Sequence, residues 1–192
     1  MEAQIIVDID NTLWDFSSVL YEELRSLNPL IPPPAGWGTW DFFKGYISPA
    51  TFYQVIEEIH KRQEKYGVYP DSKRFLKGLK MMGFRVVIAS HRSKETEKAT
   101  LNWLIKHGLP FDELHLSYDK SSLFHSSLVV VDDSPFVLQK ARDLGLFALG
   151  LEYPWNRGNG FLLFKRLTDV LSFIEKNIFK AGSPKGRSPS IS

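Results

Sequence analysis

The chain has 192 residues, a formal net charge of +2 at pH 7 and no cysteine. That length suits one α/β domain with a modest insertion. The missing thiols exclude disulfides, thiolate catalysis and cysteine-ligated zinc, and the small net charge calls for neither a nucleic-acid polymer nor a membrane as partner.

The first element is the most informative. Residues 4 to 9 read as a strand, and Ile5-Ile6-Val7 carries Asp8 and Asp10 into a turn. Side chains two apart on a strand point the same way, so the two carboxylates converge. Acids ending an apolar strand are costly unless they bind a cation or do chemistry, and Mg²⁺ takes a few such oxygens together with phosphate and water. An ordinary Asp-rich turn fits the same letters.

Asp15 to Leu27 follows as a helix, with Phe16, Val19, Leu20, Leu24 and Leu27 at helical spacing. Pro32-Pro33-Pro34-Ala35-Gly36 breaks any element. Ala50 to Tyr66 is a second amphipathic helix, with Phe52, Val55, Ile56 and Ile59 on one stripe. A third helix, capped by Asp71 or Ser72, carries Phe75, Leu76 and Leu79 and stops at Gly83. Then come strand 84–89, helix 93–107, strand 113–117, strand 128–132, helix 135–144, strand 146–151 and helix 167–179. Such alternation argues a parallel sheet covered on both faces. The stretch 181–192, rich in Ser, Pro, Lys and Gly, is expected to be disordered. No basic-then-apolar leader and no membrane-length apolar run is visible, so a cytoplasmic location is expected.

Several strands discharge a polar group at their carboxyl ends, where open α/β sheets bind ligands. Ser90 ends the second strand, Lys120 follows the third, and Asp132 and Asp133 end the fourth. Each alone has a bland explanation: Ser90 or Ser93 as a helix cap, Lys120 as a solvated side chain, the Asp pair as a turn. Lys94 and Lys98 are rivals to Lys120, but helical spacing puts them on a solvated face. His91 and Arg92 either touch substrate or are surface residues where a helix begins. His60, His107, His115 and His125 show no metal-ligand spacing and receive no role.

The ordered set Asp8-x-Asp10-x-Thr12, strand-Ser90, Lys120, strand-Asp132-Asp133 resembles the haloacid dehalogenase-like (HAD) superfamily across residues 4 to 150. The resemblance implies a Rossmann-like parallel core (1–13 and 71–180) with a helical cap inserted after the first strand (14–70). It makes Asp8 the nucleophile that forms an aspartyl-phosphate. Asp10 becomes general acid and then base, a position that favours phosphoryl transfer over halide displacement. Mg²⁺ would be held by the Asp8 carboxylate, the Asp10 backbone carbonyl and Asp132, with Asp133 behind them. Ser90 and Lys120 would hold phosphate oxygens, helped by backbone amides near Ile9 and Asn11. Thr12 would fix the turn. Asn11 stands where the family often has Gly, and Asn tolerates unusual backbone angles.

The substrate is addressed by Trp37-Gly38-Thr39-Trp40-Asp41-Phe42-Phe43 in the insertion. Its rings, Trp40 among them, either stack on a base or form the insertion's own core. Glu152-Tyr153-Pro154-Trp155-Asn156-Arg157 resembles a Pro-aromatic-Asn-Arg stretch of the 5′(3′)-deoxyribonucleotidase branch, and Asp15-Phe16 is similar too. Ser90-His91-Arg92 departs from the Thr-centred segment of that branch. The expectation is a Mg²⁺-dependent phosphomonoesterase acting on a small phosphorylated partner, a nucleoside monophosphate. The alternatives are a small magnesium-dependent phosphatase of phosphosugars or phosphoprotein, whose Thr-Leu-Trp resembles Thr12-Leu13-Trp14, and a catalytically idle phosphate-binding protein.

Overall fold

A computed structural model describes residues 3–180. Its strands are β1 (Gln4–Val7), β2 (Arg85–Ser90), β3 (Glu113–Leu116), β4 (Ser127–Val131), β5 (Phe147–Leu151) and β6 (Leu162–Phe164). They form one sheet in the order β3-β2-β1-β4-β5-β6, every pairing parallel. The helices are α1 (Phe16–Leu27), α2 (Pro49–Lys61), α3 (Ser72–Met81), α4 (Glu97–Lys106), α5 (Pro135–Asp143) and α6 (Leu167–Ile174). The expected α/β class, a Rossmann-like parallel sheet flanked by helices, is what forms. None of the described helices is long and apolar enough to cross a membrane. The stretch 181–192 lies outside the described residues.

β1 is buried on both faces, which is why it is apolar without alternation. Ile5 and Val7 join a large cluster with Phe75, Leu79, Trp103, Leu104, Val170 and Ile174. Ile6, one residue out of phase, joins Val130, Leu138 and Ala141 on the opposite side. Register places Val7 opposite Ile88 and Val131. The next residues, Asp8 and Asp132, therefore emerge at the same level. From β1 the chain builds outward through β2 and β3, then returns to the other side of β1 to start β4. The crevice between those two directions lies beside Asp8 and Asp132, the usual place for a ligand on such a sheet.

Between β1 and α3 the chain makes a helical insert. Asp15 accepts the Ser18 amide (3.1 Å) at the start of α1, and Ser48 accepts the Thr51 amide (3.1 Å) at the start of α2. The two helices pack on each other, and α2 also meets α4. Most of the insert's rings are structural. Trp37 stacks on Phe42 and Phe43 on Phe52, both at 3.8 Å between centroids, and the Trp37 indole donates to the Pro32 carbonyl (2.8 Å). Trp37, Phe43 and Phe52 belong to the same buried cluster as Ile5 and Val7. The insert has no separate core.

Several boundaries differ from expectation. The helix read over 50–66 ends at Lys61 and continues as a 3₁₀ turn, Gln63–Lys65. The one read over 93–107 begins as a 3₁₀ turn, Lys94–Thr96, capped by Ser93 accepting the Glu95 amide (3.2 Å). The one read over 167–179 finishes in a π turn, Glu175–Phe179. Neither Asp71 nor Ser72 caps α3 with its side chain. Tertiary partners claim both: Asp71 accepts the Thr168 amide (3.0 Å), and Ser72 donates to the Leu13 carbonyl (2.8 Å). β6 is an additional strand, three residues long, beyond the glycine-bearing segment that follows Trp155.

Candidate active site

Four neighbouring strands bring their carboxyl ends to one place. Asp8 follows β1, Ser90 ends β2, Lys120 lies beyond β3, and Asp132 and Asp133 follow β4. All five side chains are buried. The Lys120 ammonium donates to both Asp8 and Asp132, the latter at 2.8 Å. Lys94 and Lys98 are exposed, so the buried cation among the three candidates is Lys120. The lysine is presented by the loop between β3 and a 3₁₀ stretch, Ser121–Ser126.

Asp8, Asp132 and Asp133 have carboxylate oxygens within 4.8 Å of one another. One ammonium faces three buried carboxylates, so the cluster carries more negative charge than it balances. Burial pushes the Asp8 carboxyl up to about 7, against the pull of Lys120 and with repulsion from Asp132 and Asp10 adding to the rise. Asp133 is raised well above the carboxylate range by burial, then by Asp132 and Asp8. Burial works against the Lys120 charge, but Asp132 and Asp8 outweigh it and raise its pKa. An all-oxygen set of buried carboxylates is the donor set that suits a hard divalent cation.

The turn after β1 is shaped by Asn11, the one non-glycine with positive φ among the described residues (φ 55). Its side chain is spent internally: the carbonyl accepts the Ser17 amide (2.8 Å), and the amide donates to Asp133 (3.0 Å). The Asn11 side chain thus holds the metal-type cluster rather than reaching for a ligand. Backbone bonds close the turn, from Thr12 and Leu13 to the Ile9 carbonyl (3.2 and 2.8 Å). The Thr12 hydroxyl is buried with no hydrogen-bond partner among the described residues, so it does not brace the turn by a bond. Asn156, from the Glu152–Arg157 stretch, is fully buried and donates to the carbonyls of Asp133 (3.1 Å) and Leu151 (2.9 Å). Tyr153 donates to the Asn11 carbonyl (2.7 Å). Asn156 and Tyr153 thus brace the loops of the site, whereas Arg157 is exposed and pairs with Glu152 (2.6 Å).

Asp10 has a different environment from Asp8. One oxygen, Oδ1, accepts from the Trp14 indole (2.9 Å) and Arg92 (2.7 Å). The other, Oδ2, meets His60 Nε2 at 2.9 Å. Burial alone would raise its pKa, but Arg92 and His60 hold it well below the usual carboxylate range. Arg92 is not a surface residue. It is buried, and its guanidinium also donates to Gln63, to Thr100 (2.9 Å) and to Ser90 Oγ (3.0 Å). His91, by contrast, is exposed at the cavity mouth.

A cavity of about 740 Å³ rises from these groups and is roofed by the insert, within the ~300–1,000 Å³ range of small-molecule sites. Its floor is the acid–lysine cluster; its walls include Trp40, Tyr53, Phe52, Trp155, Gln54 and Glu57. Trp40 is 38 % exposed and sits edge-on to Phe136 of α5 (6.3 Å) and Trp155 (6.5 Å). The sequence singled out every floor residue. It did not single out His60, whose approach to Asp10 comes from tertiary packing of α2. The only sequence signal is its position one turn beyond Ile56, on a stripe that turns inward.

No protein-family model matches the chain. Its sequence is 24 % identical over 168 residues to a Chlorobaculum tepidum protein provisionally assigned as a 5′(3′)-deoxyribonucleotidase, covering 79 % of each chain. Its structure superposes on a provisionally assigned β-phosphoglucomutase from Thermotoga maritima with TM-score 0.61 at 17 % identity, covering 93 % of this chain and 100 % of that one. It also superposes on YfnB from Bacillus subtilis, provisionally assigned as a HAD-hydrolase and bound to magnesium, with TM-score 0.58 at 12 % identity, covering 91 % and 99 %. The fold is haloacid dehalogenase-like. On this fold Asp8 and Asp10 follow the first strand, Ser90 ends the second, Lys120 follows the third, and Asp132 and Asp133 follow the fourth, in the order the sequence presents them.

Proposed function

We propose that the protein is a Mg²⁺-dependent phosphomonoester hydrolase that works through an aspartyl-phosphate on Asp8, with nucleoside monophosphates as substrates. The observation that carries the reading is Asp8 at the base of an aromatic-walled cavity, bonded to Lys120 and flanked by Asp132, Asp133 and Ser90. Fold alone would not carry it.

Asp8, Asp132 and the Asp10 carbonyl would hold the metal, with Asp133 adjacent. The ion would offset repulsion between nucleophile and phosphate. Lys120 and Ser90 bind the non-bridging oxygens. An Asp8 oxygen attacks phosphorus, the phosphorus–ester bond breaks, and the departing alkoxide takes a proton from Asp10. Arrival of an anionic phosphate raises the Asp10 pKa from its ligand-free low value, which favours that proton. Water then attacks the aspartyl-phosphate, giving its proton to Asp10 and releasing inorganic phosphate.

The nucleotide part of the proposal rests on the exposed rings of the cavity, Trp40 and Tyr53, and on the likeness to the Chlorobaculum tepidum protein. The test is phosphate release from deoxy- and ribonucleoside monophosphates and from sugar phosphates, with Mg²⁺ and with EDTA. Mg²⁺-dependent turnover strongest on nucleotides is expected. Preference for sugar phosphates would keep the mechanism and replace the substrate; no turnover on either would sink the hydrolase reading.

A further inference from the structure

We infer that His60, on the insert, is a positioning residue that aims the Asp10 carboxylate at the leaving group, so that the insert must be seated for proton transfer. This rests on the phosphomonoesterase reading. An ionised carboxylate offers about four acceptor positions on its two oxygens. Asp10 Oδ1 accepts from Trp14 Nε1 and Arg92 Nη2, which fills it. Oδ2 accepts from His60 Nε2 and keeps one position. Asp10 borders the cavity and its side chain is 17 % exposed. The remaining position on Oδ2 is therefore where protonated Asp10 would carry the proton for a leaving oxygen, and where ionised Asp10 would accept one from an attacking water.

The two sides of this clamp differ in origin. The Oδ1 side is fixed. Arg92 cannot turn without also losing Thr100, Ser90 and Gln63, because its donors lie in a rigid fork. It also accounts for Ser90: since Ser90 Oγ accepts from Arg92 Nε (3.0 Å), its own proton points elsewhere, free for a phosphate oxygen. The Oδ2 side is held by α2. His60 is 2 % exposed and lies against Phe16 of α1 (5.4 Å between rings). A displacement of α2 removes the His60 bond and frees Oδ2 to swing; it also takes Gln63 from Arg92, but Arg92 keeps Thr100 and Ser90 of the core and with them its hold on Oδ1.

A purely structural His60 would hold the insert in place and affect all substrates alike. A positioning His60 also serves the later attack of water, which is common to all substrates, but it affects formation of the aspartyl-phosphate only where the leaving group needs a proton. An alkyl phosphate does; p-nitrophenyl phosphate, whose phenolate leaves unaided, hardly does. The experiment takes the alkyl phosphate that the wild type hydrolyses fastest and compares its kcat/KM, which reads only the steps through formation of the aspartyl-phosphate, with that for p-nitrophenyl phosphate. In His60→Ala that ratio is expected to fall about 10-fold or more, the scale of losses when an orienting partner is removed. His60→Gln, which keeps an N–H donor near the same place, is expected to restore it to within about 3-fold. An unchanged ratio in His60→Ala, or a His60→Gln no better than His60→Ala, overturns the inference. A wild type that hydrolyses neither ester overturns the hydrolase reading instead, and this inference with it.

Discussion

Asp8 and Asp10, two residues apart, are tuned in opposite directions. Burial pushes Asp8 up to about 7, while Arg92 and His60 overcome burial and hold Asp10 low. In the ligand-free protein this separation is the reverse of what a nucleophile at Asp8 and an acid at Asp10 need, so the proposed mechanism requires a bound cation to lower Asp8 and a bound phosphate to raise Asp10. Asp8→Asn keeps the shape and removes both the nucleophile and a poorly balanced charge. Turnover is expected to fall at least about 1,000-fold, and the melting temperature in EDTA at pH 8 to stay level or rise. Residual turnover near the wild-type rate would reassign the nucleophile. The floor of the site was legible because its acids directly follow strands and Lys120 lies in the loop after one, and strand ends can be read from hydrophobic runs. Arg92 was half legible: its letter stood beside Ser90, but nothing local shows that Gln63, Thr100 and Asp10 converge on its guanidinium. His60 was illegible for the same reason, since its partner is 50 positions away.

At the scale of elements, β5 is pressed against the loop that carries the metal-type acids. A Cβ added at Gly150 would lie 2.3 Å from the Asp132 backbone oxygen. The neighbour is backbone, so the strand ends must part. Gly150→Ala is expected to cost about 1–3 kcal/mol, the scale of overpacking, and to lower kcat by moving Asp132. Denaturant unfolding and steady-state kinetics read both effects; full stability would show that the β4–β5 seam yields easily. The insert's aromatics give a second contrast. Trp40→Ala is expected to raise KM for nucleotides several-fold more than for p-nitrophenyl phosphate, because Trp40 is exposed in the cavity wall and a stacked base is worth about 1–3 kcal/mol. Equal effects on both substrates would return Trp40 to a packing role. Long periodic segments made most elements readable. β6 was not, because three residues carry too little period. Where helices tighten or loosen into 3₁₀ and π turns depends on packing that the stripe of apolar residues does not encode.

At the scale of the whole molecule, the uncompensated acids link folding to metal and to pH. In metal-free protein Asp8 and Asp133 titrate above their unfolded values. The native state then binds more protons than the unfolded one, so their contribution falls as pH rises from the unfolded carboxylate range through about 7. Buried His60, with its pKa lowered by burial and Arg92, acts in the opposite direction below the ordinary imidazole value. The difference with and without Mg²⁺ isolates the acids. Stabilisation by Mg²⁺ is expected to be larger at pH 8 than at pH 5, because bound carboxylates must be deprotonated. At ~100 times Kd the gain is about 2.7 kcal/mol, roughly 5–10 °C for a domain of this size. Equal shifts at both pH values, read by thermal melts against EDTA, would place the ion elsewhere.

The insert's rings divide into two populations: Trp37, Phe43 and Phe52 are buried in the cluster that also contains β1, while Trp40 and Tyr53 stand in the cavity wall at 38 % and 61 % exposure. Changes to the first set are paid for in folding and changes to the second are not. A lineage of such proteins can therefore try new leaving groups at two positions without gambling the scaffold, and a library randomised at Trp40 and Tyr53 should yield mostly folded variants with scattered preferences.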